Sequence, residues 1–207
     1  MRKFIFIFSI IFSNLSFSGE SIEIFLYEQH KNLFGYIEKN IELIDGDRNL
    51  FIAGFEKSIE DLIDPREISK RVMGKKIYQQ SSSAQIERFN LKFKSTLFES
   101  YSSALKELSY EDLRIISHSH PNERMDLAVV QLNTEFSGRK FRLIYKMKKL
   151  KLADLKEWRV VGIVIDGIDL VSLYRKQFAS LVKENDDNLD LAISSWSIDE
   201  ESITLDE

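Results

Sequence analysis

Histidines and carboxylates are the residues of this chain that could hold a metal ion. The sequence has no cysteine and only three histidines, His30, His118 and His120. His118 and His120 alternate along a predicted strand, so their side chains face the same way, and Glu123 or Asp126 could add a carboxylate ligand. The pair lies beside a Pro-Asn turn where polar residues gather, and the spacing fixes no complete ligand set. We interpret the segment as a solvated loop and expect no metal.

An acid–base pair is the other chemistry that the sequence permits. Asp126 and Tyr145 fall on neighbouring predicted strands, and a buried Asp base beside a Tyr donor serves small isomerases and dehydratases. No spacing positions these two residues as a dyad. The turns at Ser137-Gly138 and Asp166-Gly167 match neither a nucleophile elbow nor a phosphate-binding loop. We expect no catalytic residue and no cofactor, with an isomerase or dehydratase as the alternative.

The segment from Trp158 to Phe178 predicts a strand, a two-residue turn and an amphipathic helix. Arg159 to Ile165 is rich in Val and Ile at almost every position, which indicates a strand covered on both faces. Asp166-Gly167 ends the strand, and Asp169 occupies the N-cap position of the helix. No alternating pattern follows the turn, so we expect the strand to lead directly into the helix and not into a hairpin.

Helices are predicted to fill the first half of the chain. The apolar spacing indicates helices from Ser21 to about Ile44 and from Leu50 to Leu62. A third helix has Asp64 as its cap and Pro65 at its first position, and it is expected to stop at Gly74. A long helix then begins after Ser83, with one apolar stripe over about six turns.

Strands are predicted to dominate the second half. Alternating and β-branched patterns indicate strands near residues 113–118, 125–134, 141–150 and 159–165, joined by short polar loops. Helices followed by an antiparallel meander are typical of an α+β fold. The length after residue 18 suggests a single domain.

The two ends of the chain have their own compositions. Residues 1–18 are expected to be a secretory signal peptide, with a basic start, an apolar run and a small-x-small cleavage site before Gly19. Its removal would make the net charge, −4 for the whole chain, two units more negative, which argues against nucleic acid as a partner. Residues 19–185 form the predicted domain, and residues 186–207 form an acidic, partly helical tail.

The strand-turn-helix segment resembles the signature of the Mla-type periplasmic phospholipid-binding proteins, the toluene-tolerance (MlaC-like) family. That signature is a W-x-V strand, a D/E-G-[IV]-[SD] turn and an L-V-x-x-Y-R-x-Q-F helix. The matching residues here are Trp158, Val160, Gly167, Leu170, Val171, Tyr174, Arg175, Gln177 and Phe178. The long helix also fits the family's Q-x-x-R-F-x-x-x-F-x-x-x-L-x-x-x-Y pattern, and Asp64, Val72 and Gly74 match by position. Gly162 departs from the pattern, since an Asp is usual there.

The resemblance implies a cone-shaped α+β fold of the cystatin-like or nuclear-transport-factor-like kind. Helices would lie on the concave side of a curved, mainly antiparallel, four-stranded sheet. It also implies a soluble, monomeric periplasmic carrier of glycerophospholipids. Its expected partners are an inner-membrane ABC lipid transporter complex and an outer-membrane lipoprotein–porin complex, acting together in a lipid-asymmetry system.

Such a carrier needs a dry pocket for acyl chains, because leaving one sixteen-carbon chain in water costs on the order of 12 kcal/mol at about 0.8 kcal/mol per methylene. The apolar stripes of the long helix, the third predicted strand and the last strand-helix pair could line it. The predicted lipid-binding residues are Phe89, Phe93, Leu97, Tyr101, Val129, Leu143, Tyr145, Val160, Val164, Leu170, Tyr174 and Phe178. Arg88 and Arg175 are the predicted headgroup contacts. Two further alternatives stay open: a structural or adaptor protein with a filled interior, and a carrier of another lipid such as a hopanoid.

Overall fold

The computed structural model describes residues 21–105, 113–136, 138–152 and 155–198. Helices occupy the first half, an antiparallel sheet follows, and two helices close the described chain. The helices are α1 (Ile22–Asn40), α2 (Arg48–Ile59), α3 (Pro65–Gln80), α4 (Ser83–Leu105), α5 (Leu170–Glu184) and α6 (Leu189–Ser195). The strands are β1 (Arg114–Ser119), β2 (Leu127–Phe136), β3 (Arg139–Leu152), β4 (Leu155–Ile165) and the two-residue β5 (Ile168–Asp169). The predicted α+β class is confirmed.

Local capping determines where several helices begin. Asp47, Asp64, Asp169 and Asn188 each accept a hydrogen bond from a backbone N–H in the first turn of the helix that follows. These side chains satisfy amide groups that a helix start otherwise leaves unpaired. The first predicted helix continues into a 3₁₀ turn over Ile41–Ile44, so its predicted end is confirmed.

Gly74 divides α3 into two helical segments. Its backbone has φ 76° and ψ 158°, a conformation that only glycine adopts readily. The prediction that the helix stops at Gly74 is confirmed for the first segment. A second helical segment up to Gln80, which the sequence pattern did not predict, then leads to α4.

The sheet has five strands in sequence order, each antiparallel to its neighbour. β2 and β3 pair without interruption from Leu127↔Lys148 to Phe136↔Arg139. Register shifts occur in β1 between Ile115 and Ser117 and between β3 and β4 at Lys146/Met147. Such bulges bend the strands, which gives the sheet its curvature. The four predicted strands are all present, and β5 is an addition.

The turn after β4 corrects one prediction. Asp166 and Gly167 both have positive φ, 46° and 93°, as in the two-residue turns that join paired strands. Ile165 and Ile168 face each other across this turn, so the segment is a very short hairpin. The hairpin was missed because α5 begins at Leu170, before any alternating pattern can develop.

The buried side chains of the described chain form three separate clusters. The helical cluster joins α3, α4, α5, α6 and the segment after α6. The sheet cluster packs α1 against β2, β3 and β4. The third joins α1, α2 and α4 around Phe51 and Phe98. Each part of the described fold therefore has its own buried cluster.

The chain from Asn188 to Ile198 belongs to the packed structure. Trp196 is 1% exposed and Ile193 3% exposed, both inside the helical cluster. The predicted final helix is therefore confirmed as α6, and the packed part of the chain extends beyond residue 185. In the described ranges, no helix is both long enough and apolar enough to cross a bilayer.

Candidate functional site

The pairing register distributes the predicted strand residues over both faces of the sheet. Leu143 and Tyr145 lie on the face that packs against α1, and Val160 joins the same cluster. Val129 and Val164 pair with Lys146 and Ile144, and these positions alternate with Tyr145 along β3. Since successive side chains on a strand point to opposite faces, Val129 and Val164 lie on the other face. The five residues do not line one common surface.

The predicted helical residues meet in the helical cluster. Phe89, Phe93, Tyr174 and Phe178 are at most 2% exposed, and the rings of Phe89 and Phe178 are 4.5 Å apart. Leu97 and Leu170 are half-buried at the border of this cluster. Tyr101 lies on α4, but its side chain is outside the described part of the structure.

Trp196 fills the centre of this aromatic group. Its ring lies 5.5 Å from that of Phe178 and 6.2 Å from that of Phe89. The space between α4 and α5 is thus occupied by the protein's own side chains. The lipid-binding role of these aromatic residues stays a prediction.

Burial differs between neighbouring strands in the sheet cluster. Val130 pairs with Tyr145 and Leu132 pairs with Leu143 across β2 and β3. Both β2 residues are 0% exposed, while their β3 partners are only half-buried. The burial of the apolar side chains thus decreases from β2 to β3 at these two pairs.

The hydroxyl of Tyr145 is shielded from bulk water by the surrounding protein. Burial raises the pKa of Tyr145 to about 12, so the hydroxyl is far less hydrated than one in bulk water. Tyr145 is nevertheless only half-buried by accessible surface. We use the name inner recess for the partly buried side chains around Tyr145, which are Leu33, Phe34, Leu143 and Ile163, beside the buried His30.

His30 is the polar group of the recess wall on α1. It is 2% exposed, and its ring packs edge-on against Tyr145 at 5.7 Å and Phe34 at 6.4 Å. Burial lowers the pKa of His30 to about 4, so the imidazole is neutral at neutral pH. Among the described residues, its Nε2 atom has no hydrogen-bond partner.

The two predicted headgroup residues make contacts inside the protein. Arg88 on α4 pairs with Asp190 on α6. Arg175 on α5 donates from Nε to the carbonyl oxygen of Arg71 at 2.6 Å. Each contact links two helices, and the headgroup role stays a prediction.

The two histidines considered for metal binding, His118 and His120, have ring centroids 5.7 Å apart. His118 contacts Glu23 at 3.0 Å, and Nδ1 of His120 lies 3.0 Å from the carbonyl oxygen of Leu127. Within the described ranges, no group of three or more His, Asp or Glu side chains is arranged to hold a metal ion. The carbonyl oxygen of Asp126 accepts from the Lys149 amide, four residues along β3 from Tyr145. That separation is about 13 Å at 3.3 Å per residue, so no Asp–Tyr dyad forms.

Sequence reasoning missed His30, Leu33 and Ile163 as wall residues. A signal for His30 was present, because it continues the apolar stripe of Ile22 and Leu26 at steps of four residues. A histidine inside such a stripe predicts a buried imidazole. The sequence pattern does not show which of Ile163 and Val164 lies on the α1 face of the sheet, because the assignment of faces depends on the bulge in β4.

The α+β fold of this chain is similar to that of a protein of known structure. A phospholipid-binding protein from Ralstonia solanacearum, solved in complex with a phospholipid, superposes with a TM-score of 0.67 at 20% sequence identity. The match covers 83% of this chain and 96% of the other. At this identity the likeness shows the fold.

The family follows from the sequence match. The model of the MlaC protein family matches residues 28–197, and this chain belongs to that family. The toluene tolerance protein Ttg2D of Pseudomonas putida is 25% identical over 165 residues, which cover 80% of this chain and 74% of the relative.

Proposed function

We propose that this protein is a soluble periplasmic carrier that binds a glycerophospholipid and shuttles it between the outer and inner membranes. The observation that carries the proposal is the match to the MlaC family over residues 28–197, supported by the fold of a neighbour that was solved with a phospholipid. A carrier is favoured over an enzyme because Asp126 and Tyr145 are far apart along the sheet.

The physical basis is the cost of wet acyl chains. Each methylene moved out of water contributes about 0.8 kcal/mol, so a carrier must supply an apolar surface wherever the bilayer is absent. Leu33, Phe34, Leu143 and Ile163 supply such a surface at the recess. Leu97 and Leu170, which are half-buried on the border of the helical cluster, are further proposed contacts. The charged headgroup stays in solvent.

The cellular setting of the proposal has separate support. Residues 1–18 have the composition of a signal peptide, which would direct the domain to the periplasm. Membership of the MlaC family supports a role with an inner-membrane ABC lipid transporter and an outer-membrane lipoprotein–porin complex. Size-exclusion chromatography with light scattering tests the proposed monomer.

Copurified lipid is the direct test. The full chain is expressed in a Gram-negative host, purified from the periplasm without detergent, denatured and extracted for mass spectrometry. We expect about one intact glycerophospholipid per chain, chemically unchanged after prolonged incubation. Hydrolysed or isomerised products would indicate an enzyme, a hopanoid would indicate another cargo, and lipid-free protein would contradict the proposal.

A matched pair of variants connects the lipid to the recess. Leu143→Trp adds volume to the recess wall and should lower the bound lipid several-fold. Ile116→Trp makes a similar change at a β1 position that is 56% exposed, and it should leave the bound lipid unchanged. Thermal melts monitored by circular dichroism verify that both variants are folded. Equal lipid content in the two variants would place the cargo elsewhere.

A further inference from the structure

His118, near the end of β1, and His120, in the loop that follows, lie side by side at the surface. Their ring centroids are 5.7 Å apart. Two imidazoles that share one metal ion, each with a metal–nitrogen distance of about 2.0–2.1 Å, have ring centres roughly 5–6 Å apart. The His118 side chain is 32% exposed and His120 is half-buried, so solvent reaches both residues. The separation is therefore that of two ligands of a common ion.

Hydrogen bonds determine which ring nitrogen of each histidine is available. His118 Nδ1 lies 3.0 Å from a carboxylate oxygen of Glu23 on α1, and His120 Nδ1 lies 3.0 Å from the carbonyl oxygen of Leu127. An ionised carboxylate and a carbonyl oxygen can only accept, so in the neutral imidazoles both Nδ1 atoms carry the proton and both Nε2 atoms keep a lone pair. In the described ranges neither Nε2 atom is hydrogen-bonded. Metal-binding histidines almost always have such an Nδ1 contact, because it fixes the tautomer and orients the ring.

We propose that His118 and His120 bind a divalent transition-metal ion through their Nε2 atoms, while Glu23 and the Leu127 carbonyl group position the two rings. Imidazole is a ligand for copper, nickel and zinc, and affinity among the divalent ions is highest for Cu²⁺. Within the described ranges no third His, Asp or Glu side chain joins the pair, so water or an external ligand completes the coordination. The expectation of no metal rested on sequence spacing, which shows neither the ring separation nor the Nδ1 contacts.

Titration with Cu²⁺ alone tests the site. The untagged protein is freed of metal with a chelator and titrated with copper(II) chloride in a weakly coordinating buffer, with binding followed by isothermal titration calorimetry. The double variant His118→Gln/His120→Gln measures copper held elsewhere on the chain. Wild type should bind one additional Cu²⁺ per chain, more tightly than Zn²⁺. The electron paramagnetic resonance spectrum of this copper should show coupling to two imidazole nitrogens.

Single substitutions separate the metal ligands from the residue that positions one of them. Glu23→Ala leaves both imidazoles in place and should weaken Cu²⁺ binding by about 10- to 100-fold. His118→Gln and His120→Gln each remove a ligand and should weaken it by more than Glu23→Ala does. Ser117→Ala, at an exposed position of β1, is the control and should bind like wild type. Thermal melts monitored by circular dichroism verify that the variants are folded.

Trp158 provides a readout of where the ion binds. Its ring lies 5.8 Å from that of His120, whereas Trp196, the other tryptophan, belongs to the separate helical cluster. Cu²⁺ at the histidine pair should therefore quench the Trp158 emission, and Trp158→Phe should lose this signal. Wild-type protein that binds no more Cu²⁺ than the double variant overturns the proposal. Wild-type affinity in either single histidine variant also overturns it, because the ion would then be held by other groups.

Discussion

Arg175 and Arg71 connect α5 to α3 at the point where α3 breaks. The Arg175 Nε atom donates to the Arg71 carbonyl oxygen at 2.6 Å. The aliphatic part of the Arg175 side chain lies 3.6 Å from where a Cβ would stand on Gly74. A cationic donor at the carbonyl end of a helical segment is favourable, and in the strand-turn-helix signature this arginine follows Tyr174.

Replacing Arg175 by Met should therefore lower stability. The change keeps much of the apolar stem and removes the donor, and we expect a loss of about 1 kcal/mol in the free energy of unfolding because the guanidinium is exposed. Urea denaturation measures this loss. Lys176→Met, at the next exposed position of α5, is the control and should be close to neutral. A large loss of bound lipid with unchanged stability would instead support the headgroup role of Arg175.

Gly74→Ala tests the break in α3. The glycine has φ 76° and ψ 158°, and a non-glycine residue in such a region costs about 1–3 kcal/mol. Gly35→Ala, within α1, is the opposite case: an added Cβ meets nothing within 4 Å, and removing a helical glycine stabilises by about 0.5–1 kcal/mol. We expect Gly74→Ala to lower the urea midpoint of unfolding and Gly35→Ala to raise it. A neutral Gly74→Ala would mean that the break is not conformationally strained.

Gly162 is a milder case, although it stands where the family usually has Asp. An added Cβ would lie 3.5 Å from Lys146 and 3.7 Å from Val171, which are ordinary contact distances. Lys146 is already paired with Asp169, the N-cap of α5. An Asp at position 162 would lie beside Lys146. The ammonium group of Lys146 already pairs with Asp169, so the positive partner for that Asp is engaged.

Trp196→Ala should reveal how much the last described segment contributes to the fold. The indole is 1% exposed and packs against Phe89, Phe93, Tyr174 and Phe178. Truncating a buried aromatic residue costs about 3–5 kcal/mol. Leu191→Ala, on α6 itself but 53% exposed, should change stability by less than about 0.5 kcal/mol. Equal and small effects would mean that the α6 segment contributes little to the stability of the domain.

Local chemistry made the elements predictable from sequence. The cap at Asp64 with Pro65, the cap at Asp169 and the break at Gly74 depend on neighbours within a few residues, so their patterns can be recognised in the chain. The apolar stripes also identified which residues are buried.

The function of each buried residue could not be predicted in the same way. Phe178 and Tyr145 both read as pocket-lining residues, yet Trp196 closes the space beside Phe178. Tyr145 is only half-buried, although its ring packs against His30 of α1. These differences arise from the relative positions of elements distant in sequence and from a one-residue bulge in β4, which no local pattern encodes.

The buried imidazole of His30 should make stability depend on pH in a defined window. Burial lowers the pKa of His30 from 6.5 in the unfolded chain to about 4 in the folded protein. Between these values the unfolded state binds a proton that the native state does not, so stability falls as the pH decreases from about 6.5 to about 4 and is unaffected by His30 above that range. The full loss is on the order of 3 kcal/mol at 1.36 kcal/mol per pKa unit.

His30→Leu isolates this contribution, since carboxylates also begin to titrate near the lower end of the window. The free energy of unfolding of wild type minus that of the variant, measured by urea denaturation at pH 7.5, 6, 5 and 4.5, should decrease steadily with falling pH. Leu26→Ala changes a buried α1 residue that does not titrate, and its difference from wild type should lack this decrease. A pH-independent difference for His30→Leu would contradict the lowered pKa of His30 and would show that the imidazole is hydrated in the folded protein.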